Sequence, residues 1–369
     1  MTIKVMIIKV LRKLGIFELL YKIKRTSLIN NEECTMSVTE ALNKLENFSH
    51  DPKTSSIDKK SLGDKYDLEV IIPAYNVEKY IRQCMDSVMT QNTKYKYHVT
   101  VIDDGSQDDT GRILDEYKII SNITVIHQQN LGFSGARNTG IREASGKYIM
   151  FVDSDDFISG STIQSLLDCA FLYNADIVEG GVISCTESGK KYHIAHCHKK
   201  CGKSKIIELS GWPFCKVFKK YLFENVSFPE KYWYEDSIMR QIIYPKAERI
   251  YAVNNNLYFR RDNPTGITNT AIKKKKSVDS LYITLSLYKD RHLLGIKPDL
   301  DYYEYILRMV NLTYSRMRLQ PEEIKESMFI VFCDFIDNNF SYYKTELYPD
   351  LEYSLKNRKY ELFKAWCEK

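Results

Sequence analysis

The 369-residue chain has no uncharged apolar run long enough to cross a bilayer. Its most apolar region, near the start, is interrupted by charge every few residues, so it reads neither as a spanning helix nor as a secretory signal with a cleavage site. Net charge is also scarce, at +5 near neutral pH. Residues 1 to 30 hold seven Lys or Arg and one Glu, a local balance of +6, which leaves −1 for residues 31 to 369. That distribution excludes an extended basic surface for nucleic acid. The nine cysteines are scattered, mostly inside apolar patterns, and form no disulfide framework. A reduced, cytoplasmic protein is the expectation.

What the chain does contain is carboxylates at the ends of short apolar segments. Leu68 to Ile72, His98 to Ile102 and Lys147 to Val152 are β-branched and apolar, bounded by turn-forming residues, and read as buried strands. Between them, Glu78 to Gln91 and Asp108 to Ile120 repeat apolar residues at three- and four-residue steps, as amphipathic helices do. Strands alternating with helices predict an α/β fold with a mostly parallel sheet, whose ligands bind beyond the carboxyl ends of the strands. Pro73-Ala74-Tyr75-Asn76, Asp103-Asp104 and Asp153-Ser154-Asp155-Asp156 all fall at that edge. Neighbouring carboxylates repel one another and resist burial, so a divalent cation is expected among them. Mg²⁺ or Mn²⁺, held by one or two carboxylates and completed by substrate phosphates, fits a nucleotide diphosphate site.

Four segments carry a resemblance. They are Val70-Ile-Ile-Pro-Ala-Tyr-Asn, Val101-Ile-Asp-Asp-Gly-Ser, Asn130-Leu-Gly-Phe-Ser-Gly-Ala-Arg-Asn-Thr-Gly and Phe151-Val-Asp-Ser-Asp-Asp. In order and spacing they resemble the successive signatures of glycosyltransferase family 2, with its GT-A fold, over roughly residues 66 to 270. The resemblance implies inverting, metal-dependent transfer of one sugar from a UDP-sugar to a hydroxyl of a glycan or lipid-linked glycan, in cell-surface polysaccharide assembly. Carried over residue by residue, it makes Pro73 and Tyr75 the platform for the nucleotide base, the tyrosine ring offering a stacking face. Asp104 would accept the uracil N–H, and Arg137 would reach the nucleotide. Asp153, Ser154 and Asp155 would form the D-x-D turn, with Asp155 touching the metal and Asp153 holding the ribose or a metal-bound water. Asp156 is expected to cap a helix beginning near Ser159 or to orient its neighbours.

On the acceptor side the resemblance makes Asp236 the general base and Glu235 its neighbour that positions the acceptor or tunes it. Tyr258-Phe-Arg-Arg-Asp-Asn-Pro-Thr resembles a segment closing over the pyrophosphate. Arg260 or Arg261 would clamp the phosphates, with Thr265 or Thr268 where relatives often carry serine. Lys216 falls where relatives place a lysine, and reads equally as a surface lysine. The Gln-x-x-Arg-Trp signature of processive synthases is absent. So is the glycine-rich, arginine-bearing loop that a nucleotidyltransferase would carry after its first strand. A catalytically inactive nucleotide-binding scaffold is the alternative, but both the D-x-D turn and Glu235-Asp236 are intact.

Flanking regions are expected as an N-terminal helical segment (1–48), a linker (49–66) and a helical C-terminal appendage (273–369) around the catalytic domain (67–272). The division within that domain is a donor half to 156 and an acceptor half from 157. Ser37-Val-Thr-Glu40 has capping-box spacing. Helices are predicted over Val278–Leu294, Asp301–Leu319, Pro321–Asn338 and, as one element, Leu351–Trp366. They could build an acceptor groove or a homo-oligomer contact. Residues 1–25 form a basic, over-apolar helix suited to an anionic surface, on the inner face of the plasma membrane, or to a partner or the protein's own C-terminal helices. Finally, His193, His196, Cys197, His198 and Cys201 crowd into nine residues, though not at a known zinc spacing. Strand alternation there sends His196 and His198 to one face and Cys197 to the other.

Overall fold

The computed structural model describes residues 16–58, 63–263 and 273–369, and the chain divides into two compact units. One comprises residues 52–266 and 285–296; the other comprises 1–51, 267–284 and 297–369.

The first unit is built on β1 (Tyr66–Ala74), β2 (Tyr97–Asp103), β3 (Ile123–His127) and β4 (Gly146–Phe151), which are mutually parallel in the order β3-β2-β1-β4. Leu68, Val70, Ile71 and Ile72 of β1 are fully buried. Successive buried apolar residues such as Val70–Ile72, rather than strict alternation, are what a parallel strand covered on both faces requires. The covering helices are α1 (Ile81–Met89), α2 (Thr110–Asp115), α3 (Gly132–Glu143) and α4 (Thr162–Leu172). Beyond β4 the sheet continues through β5 (Phe157–Ile158), β6 (Ile177–Cys185), β7 (Lys191–His196), β8 (Gly202–Lys203), β9 (Lys216–Lys219) and β10 (Ile250–Arg261). The full path is β3-β2-β1-β4-β9-β6-β10-β5, with β9 antiparallel to both neighbours, β7 on β6 and β8 on β10. This mixed sheet with helices on its faces is the GT-A architecture the motifs imply.

Helix α3 lies unusually close to the sheet. A Cβ built at Gly140 would stand 2.3 Å from Ile71 Cγ2, so only glycine allows the approach that carries Arg137 to the strand ends. Residues 49–66, expected as a linker, are partly knitted into this unit. Thr54 donates to Glu230 O at 2.6 Å, Ser55 and Ser56 bond Asp290, and Ile57–Asp58 pairs antiparallel with Asn225–Val226.

The second unit is helical. Ser37 caps the helix Val38–Phe48, its hydroxyl accepting from Glu40 N at 3.1 Å, as the capping-box spacing predicts. Helix Ile16–Ile29 is tied to the C-terminal helices, with Tyr21 donating to Asp350 at 2.6 Å and Arg25 pairing with the same carboxylate. This N-terminal segment therefore belongs with the tail in one unit. The last predicted helix is two, Pro349–Lys356 and Tyr360–Glu368. Arg358 between them takes φ +49°, the left-handed region that ends a helix, and periodicity alone does not register that break. Among the described residues no helix is long and apolar enough to cross a membrane.

Candidate active site

The carboxyl ends of β1, β2 and β4 bring the expected residues to one edge. Tyr75 follows the end of β1 and is 47% exposed, so its ring is open to a ligand, while Pro73 lies within the strand. Asp103 and Asp104 at the end of β2 do different work. Burial opposes ionisation of Asp103, but hydrogen bonds from Ser106 and from the His127 ring outweigh it and hold its carboxyl below the usual range. For Asp104, burial prevails and pushes the carboxyl up, even though Oδ1 accepts from Leu131 N at 2.8 Å and Gln128 Nε2 at 2.6 Å. Asp104 thus ties its strand end to the loop entering α3.

After β4 the chain turns through Asp153, Ser154, Asp155 and Asp156, held from behind by β10. The Tyr258 hydroxyl accepts from Asp153 N at 3.0 Å, and the Asp156 carboxylate Oδ1 accepts from Arg261 N at 2.7 Å. Asp155 Oδ2 accepts from Asn263 at 3.1 Å. Burial, followed by the charges of their acidic neighbours, raises the carboxyls of both Asp155 and Asp156. Such crowding favours a cation at the turn. Asp153 and Asp155 are only partly buried, whereas Asp156 is enclosed.

Helix α3 connects this turn to the acceptor side. Arg137 is buried and donates from one guanidinium nitrogen to Asp153 Oδ1 at 2.9 Å and from the other to Glu235 Oε1 at 2.5 Å. Burial works against its charge, but Asp153 and Glu235 overcome that and raise its pKa. Its neighbour Asn138 donates to Phe228 O at 2.9 Å and accepts from Phe228 N at 2.8 Å, fixing the strand of chain that leads to Glu235. Tyr234 takes φ +66°, and the following residues wind into a π-helical turn at Met239–Ile243. Glu235 is pushed up to about 7 by burial, against the pull of Arg137 and with the help of Asp236. Asp236 itself is half-buried beside it.

A family model described as glycosyl transferase family 2 matches residues 69–233. The uncharacterized glycosyltransferase EpsJ of Bacillus subtilis is 30% identical over 71% of this chain and 82% of its own length. The chain belongs to glycosyl transferase family 2. Glycosyltransferase GlyA of Streptococcus pneumoniae is 34% identical over 53% of the chain, and the chain spans only 30% of that protein. The minor teichoic acid biosynthesis protein GgaA of Bacillus subtilis is 30% identical over 58% of the chain, which spans 53% of it. In fold, the chain is similar to S. aureus TarS 1–349 solved with UDP-GlcNAc, with TM-score 0.63, 20% identity, 81% of this chain and 91% of that chain covered.

As a family 2 enzyme, the protein assembles its motifs with several departures from the sequence reading. Asp156 does not cap the following helix, which begins at Thr162 after Ser161; its carboxylate accepts from Arg261 N instead. Arg137, expected to reach the nucleotide, bridges Asp153 and Glu235. Arg261 is fully engaged: Nε donates to Asp155 O at 2.8 Å, the terminal nitrogens bond Gln83 and Glu187 O, and the guanidinium lies over the Tyr80 and Phe157 rings. Arg260 is less committed, bonding Ser184 at 3.1 Å above the Trp212 ring. Lys216 is not a surface residue; it is wholly buried and pairs with Glu179 at 2.7 Å. Thr265 and Thr268 lie outside the described residues. Sequence reasoning missed Tyr258, Asn138 and Gln128 as organisers. Nothing marks a tyrosine hydroxyl or an amide as a strut until its distant partner is known.

Proposed function

We propose that the chain transfers a single sugar from a UDP-sugar to a hydroxyl of a glycan or lipid-linked glycan in cell-surface polysaccharide assembly, with inversion and with Mn²⁺ or Mg²⁺. The observation that carries this reading is the Arg137 bridge, which brings a D-x-D turn and a Glu-Asp pair into one buried network. TarS was solved with UDP-GlcNAc and GgaA is named for teichoic acid biosynthesis; these support the donor class and the acceptor setting.

Asp155 and Asp153 would hold the metal, and the raised carboxyl of Asp155 in its acidic surroundings fits a cation there. Bound at this turn, the metal would neutralise charge developing on the leaving diphosphate. Tyr75 stacks the base, Asp104 accepts the uracil N–H, and Ser154 lines the turn against the ribose. Arg260 is the arginine better placed to meet phosphate, since Arg261 is occupied in fixing the turn. Asp236 takes the proton from the acceptor hydroxyl. Glu235, poised near neutrality by burial and held by Arg137, positions the acceptor and governs the charge next to Asp236.

The exposed apolar side chains of Leu19, Leu20 and Ile23 support a membrane-surface contact beside the basic residues of the N-terminal segment. The deciding experiment is a screen of UDP-sugars for metal-dependent hydrolysis and thermal stabilisation. At least one UDP-sugar should give both; if none does in Mn²⁺ or Mg²⁺ while another nucleotide sugar does, the uridine donor is wrong.

A further inference from the structure

Three ligand-type atoms converge on the hairpin side of the sheet, away from the acidic turn. Glu179 of β6 is completely buried, and its Oε2 lies 2.9 Å from His196 Nε2 and 2.6 Å from His198 Nε2. The two imidazole nitrogens are 3.3 Å apart, with ring planes at 89°. His196 ends β7, which pairs with β6, and His198 lies two residues on, so both imidazoles reach the same carboxylate. The neighbouring candidates are turned elsewhere. His193 pairs with Ser184 along the strand, Cys197 Sγ faces His198 O and Asn254 O, and Cys201 Sγ faces Asn254.

We propose that Glu179, His196 and His198 bind one zinc-class divalent cation that clamps the β7 hairpin to the sheet. Two imidazoles and one carboxylate are ligands that zinc accepts, with Zn–N and Zn–O distances of about 2.0–2.2 Å. Tetrahedral ligands at that range stand about 3.3 Å from one another, which is the separation of the two histidine nitrogens. An ion about 2.0–2.2 Å from all three atoms would sit about an ångström above their plane, and a water would complete a tetrahedral set.

The other carboxylate oxygen is already assigned. Glu179 Oε1 receives Lys216 Nζ at 2.7 Å, Ser210 Oγ at 2.7 Å and Ser210 N at 3.0 Å. The glutamate therefore offers the ion a single oxygen, and Lys216 with Ser210 fixes that oxygen's direction, as the outer partners of metal ligands do. This ion is separate from the one proposed at Asp153 and Asp155, because β9 lies between β4 and β6 in the sheet.

The test uses the full chain purified without a histidine tag, incubated with zinc, passed through gel filtration and analysed for metal. About one zinc per chain should remain, and His196→Ala and His198→Ala should each lose it. Cys197→Ser, Cys201→Ser and Asp155→Ala should keep it. Retention below about a tenth of an equivalent by the unaltered protein overturns the proposal, as does equal loss in the cysteine variants. Should the histidine variants misfold, Co²⁺ substituted into the unaltered protein still decides. Ligand-field absorption without a thiolate charge-transfer band supports the site, and a thiolate band overturns it.

Discussion

Replacing Arg137 with methionine probes the link between the two halves of the site. The side chain keeps comparable bulk against Phe228, whose ring lies 5.4 Å from the guanidinium, but both ion pairs vanish. Breaking a buried pair by removing one partner leaves uncompensated charge, an effect of about 3–5 kcal/mol. The pH dependence has a defined sign. Glu235 has its folded pKa raised to about 7 from the ordinary 4.5, so its contribution to stability is full below the ordinary value and is lost as pH rises through 7. Without Arg137 the guanidinium that lowers the Glu235 carboxyl is gone, so its pKa moves higher and the loss extends further into the alkaline range. The variant's deficit should therefore be larger at about pH 8 than at about pH 6. Urea unfolding followed through Trp212 and Trp233, which belong to the same unit, measures it. A deficit under about 1 kcal/mol at the higher pH, or one that grows on acidification, refutes the bridge as an electrostatic keystone.

Asp236→Asn should lower turnover by about 10²-fold or more while UDP binding persists, and turnover within a few-fold of the parent removes the general-base assignment. Asp155→Ala should abolish Mn²⁺-dependent UDP binding in calorimetry; unaltered metal-dependent affinity rejects the D-x-D role. Tyr258→Phe removes the hydroxyl that accepts from Asp153 N and should destabilise by about 1–3 kcal/mol, with weaker Mn²⁺-dependent UDP binding. If melting and metal dependence are both unchanged, the hydroxyl does not hold the turn. Glutamate at Leu19, Leu20 and Ile23 together leaves the Tyr21 and Arg25 bonds to Asp350 in place, and should release the protein from anionic vesicles in flotation. Undiminished flotation excludes that face as the contact.

Much of the donor edge was legible before any coordinates. Leu68–Ile72, His98–Ile102 and Lys147–Val152 are apolar enough to be strands in any parallel sheet, and each is followed closely by the residues expected at its carboxyl end. Local spacing also specified the Ser37 cap, because the cap and its partner are three residues apart. The break at Arg358 escaped for the opposite reason: a helical stripe of apolar residues continues across it, and only the backbone angle shows the interruption.

The sequence by itself determined the chemistry of the groups present: paired carboxylates at strand ends, an acidic pair eighty residues later, and histidines at alternate positions. Tertiary structure decided which of them meet. Arg137 and Glu235 are separated by 98 residues, and Tyr258 by 105 from the Asp153 amide it supports. Glu179 meets His196 and His198 because β7 pairs with β6 and brings to the carboxylate the face that alternation gives both histidines. Periodicity reports which face a side chain takes on its own element. The direction of a hydrogen bond or an ion pair is fixed by the element packed opposite, and that is settled only when the sheet and its helices close together.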